Sequence, residues 1–318
     1  MRCPGVLELP PPPEGKTGWP WTEDTVVTES ERTSLLLPSI TIVTPSYNQA
    51  AFLEETIRSV LLQGYPNLEY IVMDGGSSDG SVEIIKKYEK HLAYWTSQKD
   101  AGPSDAIRKG FERATGSILA YLNSDDLYVP GAIHRLINRL KTTRADVVYG
   151  NTYWIDEQSR IVAERRQTPF SRFAYLYGGA DLQQPAVLWT SQIYRAVRGM
   201  DISFECAFDT DLFVRFASKG ARFSYIRRFV ACARLHQAQK TEILFEISKK
   251  ETDKIRARHV AVPVRSFPGI MLRNLGRIQR MIWYLIQGDA VWLIGRVPDR
   301  LRSRSGAGTG AGPQSKWI

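Results

Sequence analysis

The sequence is poor in the features that mark a secreted, membrane-spanning or metal-scaffolded protein. It holds three cysteines, Cys3, Cys206 and Cys232. An odd number without a CxxC pair signals neither a zinc site nor a disulfide framework, and a reducing cytosol is the expected compartment. No uninterrupted run of about 18 apolar residues occurs, so no spanning helix is expected. The longest candidate, Met281 to Ile294, is broken by Gln287-Gly288-Asp289. The start, Met1-Arg2-Cys3-Pro4 running into Pro10 to Pro13, lacks the apolar core of a secretory signal. Neither GxGxxG nor a Walker loop is found, so nothing indicates NAD or a P-loop nucleotide site. No repeat with a period of about 20–50 residues is present.

What is there is ordinary for a soluble globular protein. The 318 residues include 43% hydrophobic and 24% charged side chains, which excludes wholesale disorder. The formal charge of +9 would by itself suggest nucleic acid, anionic membrane or phosphorylated substrates. Its location narrows this. Val262 to Ile318 contains nine Lys or Arg against two Asp, so this tail carries +7 of the charge and the body is nearly neutral. No nucleic-acid partner is expected.

Residues 1–37, rich in Pro, Glu, Thr and Ser, read as a flexible or loosely packed leader. From Ser39 the pattern alternates. Ile40-Thr41-Ile42-Val43-Thr44 is a β-branched run, and Ala51 to Leu62 has helical spacing. Leu68 to Met73 and Val82 to Lys90 repeat the unit, Ala93 to Thr96 and Asp105 to Ala114 repeat it again, and Ser117 to Leu122 is a further buried strand. Alternating strands and helices predict a parallel sheet with crossovers, with ligands gathered beyond the carboxyl ends of the strands. A helix from Pro130 to Leu140, a strand at Asp146 to Tyr149, a hairpin-like segment at Asn151 to Ile161 and a helix at Asp209 to Ser218 follow. Met271, Leu275, Ile278, Met281 or Ile282, and Leu285 then recur every three or four residues, with Arg273, Arg277 and Arg280 on a different face, which predicts an amphipathic basic helix.

Four polar groups could carry chemistry, and each has a plainer alternative. Asn123-Ser124-Asp125-Asp126 puts adjacent carboxylates where a buried strand meets solvent. Such hard oxygens suit magnesium or manganese carrying a diphosphate, or else simply cap the next helix. Asp74-Gly75-Gly76-Ser77-Ser78-Asp79-Gly80-Ser81 lets backbone approach a ligand while Asp74 accepts from a base or ribose, or it is an ordinary turn with Ser81 as N-cap. Asp209 and Asp211 open a helix, where acids are favoured by the dipole alone; a loop carboxylate facing a pocket could also remove a hydroxyl proton. His236 could bind metal or phosphate, or be structural.

The order and spacing of these groups is more specific than any one of them. Thr44-Pro45-Ser46-Tyr47-Asn48, Asp74 to Gly80, Asp100-Ala101-Gly102-Pro103-Ser104-Asp105-Ala106 and Asn123 to Asp126, with Asp209-x-Asp211-Leu212 and Arg234-x-His236-x-x-Gln239-Lys240-Thr241, closely resemble family 2 glycosyltransferases of the GT-A fold. Within that family the series looks most like bacterial enzymes of polysaccharide and colanic-acid assembly. The resemblance implies an α/β, Rossmann-like, mostly parallel sheet flanked by helices. The catalytic domain would span 38–241, with a nucleotide-sugar half at 38–150 and an acceptor half at 151–241. A helical region at 242–300 and a disordered tail at 301–318 would follow.

It also implies an inverting hexosyltransferase-type transfer from a nucleoside-diphosphate-sugar, such as a UDP- or dTDP-sugar, to a saccharide or lipid-linked acceptor. By position, Thr44, Pro45 and Tyr47 border the nucleoside, and Asp74 contacts its base. Gly102, Asp105 and Arg108 line the donor pocket, and Asn123 and Ser124 fall near the ribose. Asp125 and His236 serve Mn2+ or Mg2+, and Asp209 is the general base. Three positions depart from the pattern. Asn123 replaces the first acid of the usual triplet, Gly75 stands where many relatives have a second acid, and Arg108 occupies a position commonly Asn. Two other readings use the same residues: a catalytically degenerate nucleotide-sugar-binding scaffold, and a nucleotidyltransferase releasing pyrophosphate. For the basic helix the expectation is attachment to the inner face of the plasma membrane, against the alternative of packing on the catalytic domain.

Overall fold

The computed structural model describes residues 3–26, 37–236, 245–264, 266–290 and 292. Gln239-Lys240-Thr241 and the tail at 301–318 lie outside the described residues.

The first half is the alternating chain read from the pattern. β1 (Ile40–Ser46), α1 (Ala50–Leu61), β2 (Leu68–Asp74), α2 (Ser81–Tyr88), β3 (Tyr94–Ser97), α3 (Pro103–Arg113) and β4 (Ile118–Tyr121) follow in order. The strands pair in parallel as β3-β2-β1-β4. Successive side chains of a strand face opposite sides. Ile40 and Ile42 of β1, with Tyr70 and Val72 of β2, join one apolar layer. Val43, Ile71 and Met73 join the other. The first layer is covered by α1, α2 and α4 (Ala132–Thr143), the second by α3 and by α7 (Phe208–Ser218). Each fully buried Ile, Leu or Val stabilises the fold by roughly 1.5–3 kcal/mol.

The second half extends the sheet to nine strands among the described residues, in the order β3-β2-β1-β4-β8-β6-β9-β5 with β7 on β6. Here β5 is Leu127–Tyr128, β6 Val147–Ile155, β7 Ile161–Arg165, β8 Val187–Thr190 and β9 Phe223–Arg234. The hairpin-like segment is the antiparallel β6–β7 pair. Because β8 is antiparallel to both β4 and β6, and β9 is parallel to β6, the carboxyl ends of β1 to β4, β6 and β9 share one edge. The amino end of β8 joins them. That edge is the candidate site.

One expectation is corrected. The leader, read as flexible or loosely packed, packs on the core over residues 3–26: Cys3, Leu9 and Trp19 belong to the first apolar layer. The cause lies in α1. Its Arg58 is fully buried and needs acceptors, and leader carbonyls supply them: Nε donates to Pro20 at 2.9 Å, and the terminal nitrogens donate to Pro10 and Trp21 at 2.7 Å. Trp19 Nε1 donates to the Tyr128 carbonyl at 2.9 Å. Proline-rich composition marked an irregular backbone, not an unpacked one.

Past β9 come α8 (Phe245–His259) and α9 (Phe267–Ile286), with α5 (Arg172–Leu176) and α6 (Ser191–Ala196) earlier in the chain. The basic amphipathic helix therefore exists, and it lies against α5. Gly276 is why it can: a Cβ there would stand 2.8 Å from Gly178 Cα, so the two backbones meet only as glycines.

Candidate active site

The loop after β4 is held from two sides. Thr56 of α1 donates to the carbonyls of Ser124 and Asp126 at 2.9 and 2.8 Å. From β9, Arg234 donates its backbone N–H to Asp126 Oδ1 at 3.0 Å and its Nε to the Asp125 carbonyl at 2.9 Å. Arg234 is itself fully buried and paired with Glu55 at 2.8 Å. With its backbone tied down, the loop turns the Asp125 side chain to the edge, where His236 Nε2 lies 3.0 Å from Oδ2. Phe52 packs on the His236 ring at 4.9 Å.

The two acids of this loop differ. Asp126 is buried, accepts from Arg234 and lies near Asn123 Nδ2 at 3.5 Å. Burial and the neighbouring Asp125 push its carboxyl well above the ordinary range, against the pull of Arg234. Asp125 is the one open to a ligand. Magnesium and manganese accept few protein oxygens and keep several waters, so Asp125 and His236 fit an ion whose other positions go to diphosphate and water. No cluster of three or more His, Cys, Asp or Glu suited to a metal occurs among the described residues.

At the ends of β1 to β3 the expected donor residues gather, with roles the sequence did not show. Thr44 is buried and lies 3.0 Å from the Tyr70 hydroxyl. Tyr47, beyond Pro45, is 62% exposed, free to lie over a ring. The Asp74 carboxylate is occupied by its own surroundings: it accepts from the amides of Gly76 and Ser77 at 3.1 and 2.9 Å and from the hydroxyls of Ser77 and Ser97 at 2.5 and 2.6 Å. It shapes the loop. Gly75 has a reason too: a Cβ there would lie 2.9 Å from Asp100 Oδ2. The Asp100 carboxylate thus stands beside Gly75, anchored by the Gly102 amide at 2.8 Å. Gly102 has φ +110°, which favours glycine.

Asp105, buried on α3, pairs with Arg108 at 2.7 Å and Lys109 at 2.8 Å. Burial alone would raise its carboxyl, but the two cations hold it down at about 2. Arg108 divides its guanidinium between Asp105 and Glu112, so the structure directs it along its own helix. A cavity of about 320 Å³ opens here, lined by Asp74, Tyr94, Gln98, Asp100 and Lys109 among others.

Asp209 sits in the first turn of α7, half-buried beside Tyr121 and Tyr175. Burial lifts its carboxyl to about 6, against hydrogen bonds from the Thr210 amide and hydroxyl, with Asp181 adding to the rise. Tyr121, at the end of β4, carries a hydroxyl raised by burial and by both Asp209 and Asp126, so the acid of α7 and the loop after β4 flank one ring. Gln184, just before β8, donates to the Tyr121 carbonyl at 2.7 Å and leaves its own Oε1 buried without a partner. Asp211, by contrast, pairs with Arg215 at 2.6 Å and is structural.

Several supports went unnoticed in the sequence. Glu251 of α8 accepts from the amides of Glu205, Cys206 and Ala207 at 2.7, 2.9 and 2.8 Å, closing the start of the helix that bears Asp209. Glu55, Thr56 and Arg58 were visible only as polar residues on the buried face of an apolar helix.

The Glycosyl transferase family 2 profile matches residues 41–196. An uncharacterized glycosyltransferase of Mycobacterium tuberculosis is 30% identical over 182 residues, covering 57% of this chain and 69% of the relative. One from Rickettsia typhi is 29% identical over 217 residues, 64% of this chain and 66% of the relative. Among solved structures, S. aureus TarS residues 1–349 with UDP-GlcNAc superposes with a TM-score of 0.54 at 17% identity, over 70% of this chain and 71% of that one. Mannosyltransferase PcManGT from Pyrobaculum calidifontis, with GDP-Man and Mn2+, gives 0.56 at 16%, over 85% and 79%. These two likenesses establish the fold, a GT-A arrangement. With the site at the expected edge and the family profile over its strands, the chain belongs to glycosyl transferase family 2.

Proposed function

We propose that the chain is an inverting, metal-dependent transferase that moves a sugar from a nucleoside diphosphate to an acceptor hydroxyl in cell-surface polysaccharide or glycolipid assembly. The observation that carries this is that Tyr121 lies near both a half-buried Asp209, lifted to about 6, and Asp126 of the loop whose other acid, Asp125, lies 3.0 Å from His236. A carboxylate near 6 is still ionised at neutral pH and a better base than an ordinary Asp. Asp209 takes the acceptor proton as the oxygen bonds to the anomeric carbon. The bond from that carbon to the diphosphate oxygen breaks with its electron pair leaving on the phosphate, and configuration inverts.

Asp125 and His236 would hold Mn2+ or Mg2+, which neutralises the charge gathering on the diphosphate. Tyr47, Asp100 and the cavity beside Lys109 would receive the nucleoside, with Asp74 and Gly102 fixing the loops around it. A UDP- or dTDP-sugar is the proposed donor class, supported by TarS having been solved with UDP-GlcNAc. PcManGT, solved with GDP-Man and Mn2+, supports the metal. The reading places the enzyme in the cytoplasm, on the inner face of the plasma membrane.

The test is nucleoside diphosphate release from a panel of nucleotide-sugars with Mn2+ and with Mg2+. Turnover that Asp125→Ala and Asp209→Asn both leave at wild-type level would overturn the site. Pyrophosphate in place of nucleoside diphosphate would select nucleotidyl transfer.

A further inference from the structure

The helix α9 has two unlike faces. Inward, Gly269 and Gly276 are buried, Gln279 accepts from the Ser171 hydroxyl at 3.0 Å, and the Tyr284 hydroxyl donates to the Arg166 carbonyl at 2.9 Å. Just beyond its end, buried Asp289 pairs with Arg166 and Arg227, so the carboxyl end of the helix is pinned to the domain. Outward, Met271, Leu275, Ile278, Ile282 and Leu285 follow the i, i+4, i+7 rule, and each is 46–56% exposed. Phe267 at 78% and Ile286 at 68% extend the stripe to both ends. A helix of this length runs about 30 Å. A continuous apolar strip of that reach is far from normal monomer surface.

Charge says what covers it. Phe267–Ile286 contains no Asp or Glu; of its three arginines Arg280 donates to the Gly179 carbonyl and Arg273 is half-buried, which leaves Arg277 as the exposed charge at the border of the stripe. Two copies of this face packed about a two-fold axis would bring exposed Arg277 towards its own equivalent, whereas anionic headgroups complement it. The helix does not span: its inner face is committed to the domain, and no described helix is long and apolar enough to cross a membrane. It can lie in the interface plane.

The position of the helix relates this face to the acceptor. Gly276 rests on Gly178 and Ala174 of the α5 segment, and Tyr175 of that segment lies against Asp209 and Thr210. One short helix therefore separates the exposed strip from the base.

We propose that the outer face of α9 seats on an anionic lipid surface and sets Asp209 at the height of an acceptor hydroxyl borne by a membrane amphiphile. The acceptor part rests on the transfer reaction above; the docking part does not.

The experiment uses the full chain, co-sedimented with phosphatidylcholine vesicles with and without phosphatidylglycerol. Partition to the anionic vesicles should exceed that to the neutral ones by about ten-fold or more. Leu275→Asp/Ile278→Asp/Ile282→Asp should lose about ten-fold or more of it. These side chains are exposed, so melting temperature and nucleoside diphosphate release from donor alone should hold. Arg277→Glu should give a smaller loss that salt abolishes. Sedimentation of the triple variant like wild type would overturn the proposal, as would a wild-type dimer that the triple variant dissolves without any vesicle binding. Absence of nucleoside diphosphate release from both proteins, with vesicle binding intact, would defeat the transfer reading and leave the docking surface supported.

Discussion

His236 Nε2 lies 3.0 Å from Asp125 Oδ2, at the ends of two strands that are not neighbours in the sheet. Neither residue is held by the other alone. Asp125 is set by the clamp on its loop, and His236 follows Arg234, whose backbone and guanidinium both bind that loop. The pair is therefore prepared before any ligand arrives, and that bears on how each variant should behave.

Asp125→Ala should abolish metal-stimulated turnover, a loss of about 10²-fold or more, since charge stabilisation of the leaving group goes with it. His236→Ala should instead raise the metal concentration needed for half activity by about 10–100-fold, with kcat partly rescued at high Mn2+. Metal titrations of the two variants with one donor distinguish these outcomes.

Asp209 links activity and stability to pH in opposite senses. As the proposed base it must be ionised, so kcat/KM should rise through about pH 6 and then level. Its folded pKa is raised, so its contribution to stability is fully present below the unfolded carboxylate range near 4 and is lost as pH rises through about 6. Asp209→Asn should thus melt higher than wild type at pH 7.5, by on the order of 1 kcal/mol after discounting for its partial exposure, and show no gain at pH 4. Calorimetric scans at the two pH values check the sign.

The Arg234–Glu55 pair is buried at both ends. Removing either partner strands a charge, and Arg234→Met should cost about 3–5 kcal/mol in denaturant melts. Glu55→Gln with Arg234→Met should cost less than the sum of the singles. Thr56→Val, which frees the carbonyls of Ser124 and Asp126, should cost about 1–3 kcal/mol and weaken metal activation more than donor KM.

Glu251→Ala should release three amides at the start of α7, costing about 1–2 kcal/mol. Because those amides orient Asp209, kcat should fall while donor KM stays. Steady-state kinetics at saturating metal reads the split.

The donor half was legible because each of its signals is local. The β-branched run at Ile40 and the Gly/Ser turn after Asp74 each declare strand or loop within a few residues, and their order declares the parallel edge. Contacts between residues 37 to 179 apart were not legible. That Glu55 would meet Arg234, that Glu251 would close the helix of Asp209, and that Arg58 would gather the carbonyls of Pro10, Pro20 and Trp21 depend on packing, which a one-dimensional pattern does not encode. Asp74 shows the same limit from the other side. Its type and position suggest ligand contact, but that neighbouring amides and hydroxyls would also bind its oxygens was not visible.

Whether Asp125 and Asp209 serve one transfer reaction is read from its products. The full chain is incubated with Mn2+, each nucleotide-sugar of a UDP, dTDP and GDP panel, and a lipid extract as acceptor source. Nucleoside diphosphate and a glycosylated lipid product of inverted anomeric configuration are expected from one donor class, with both lost in Asp125→Ala and in Asp209→Asn. A retained anomeric configuration, or either variant turning over at the wild-type rate, would contradict this expectation.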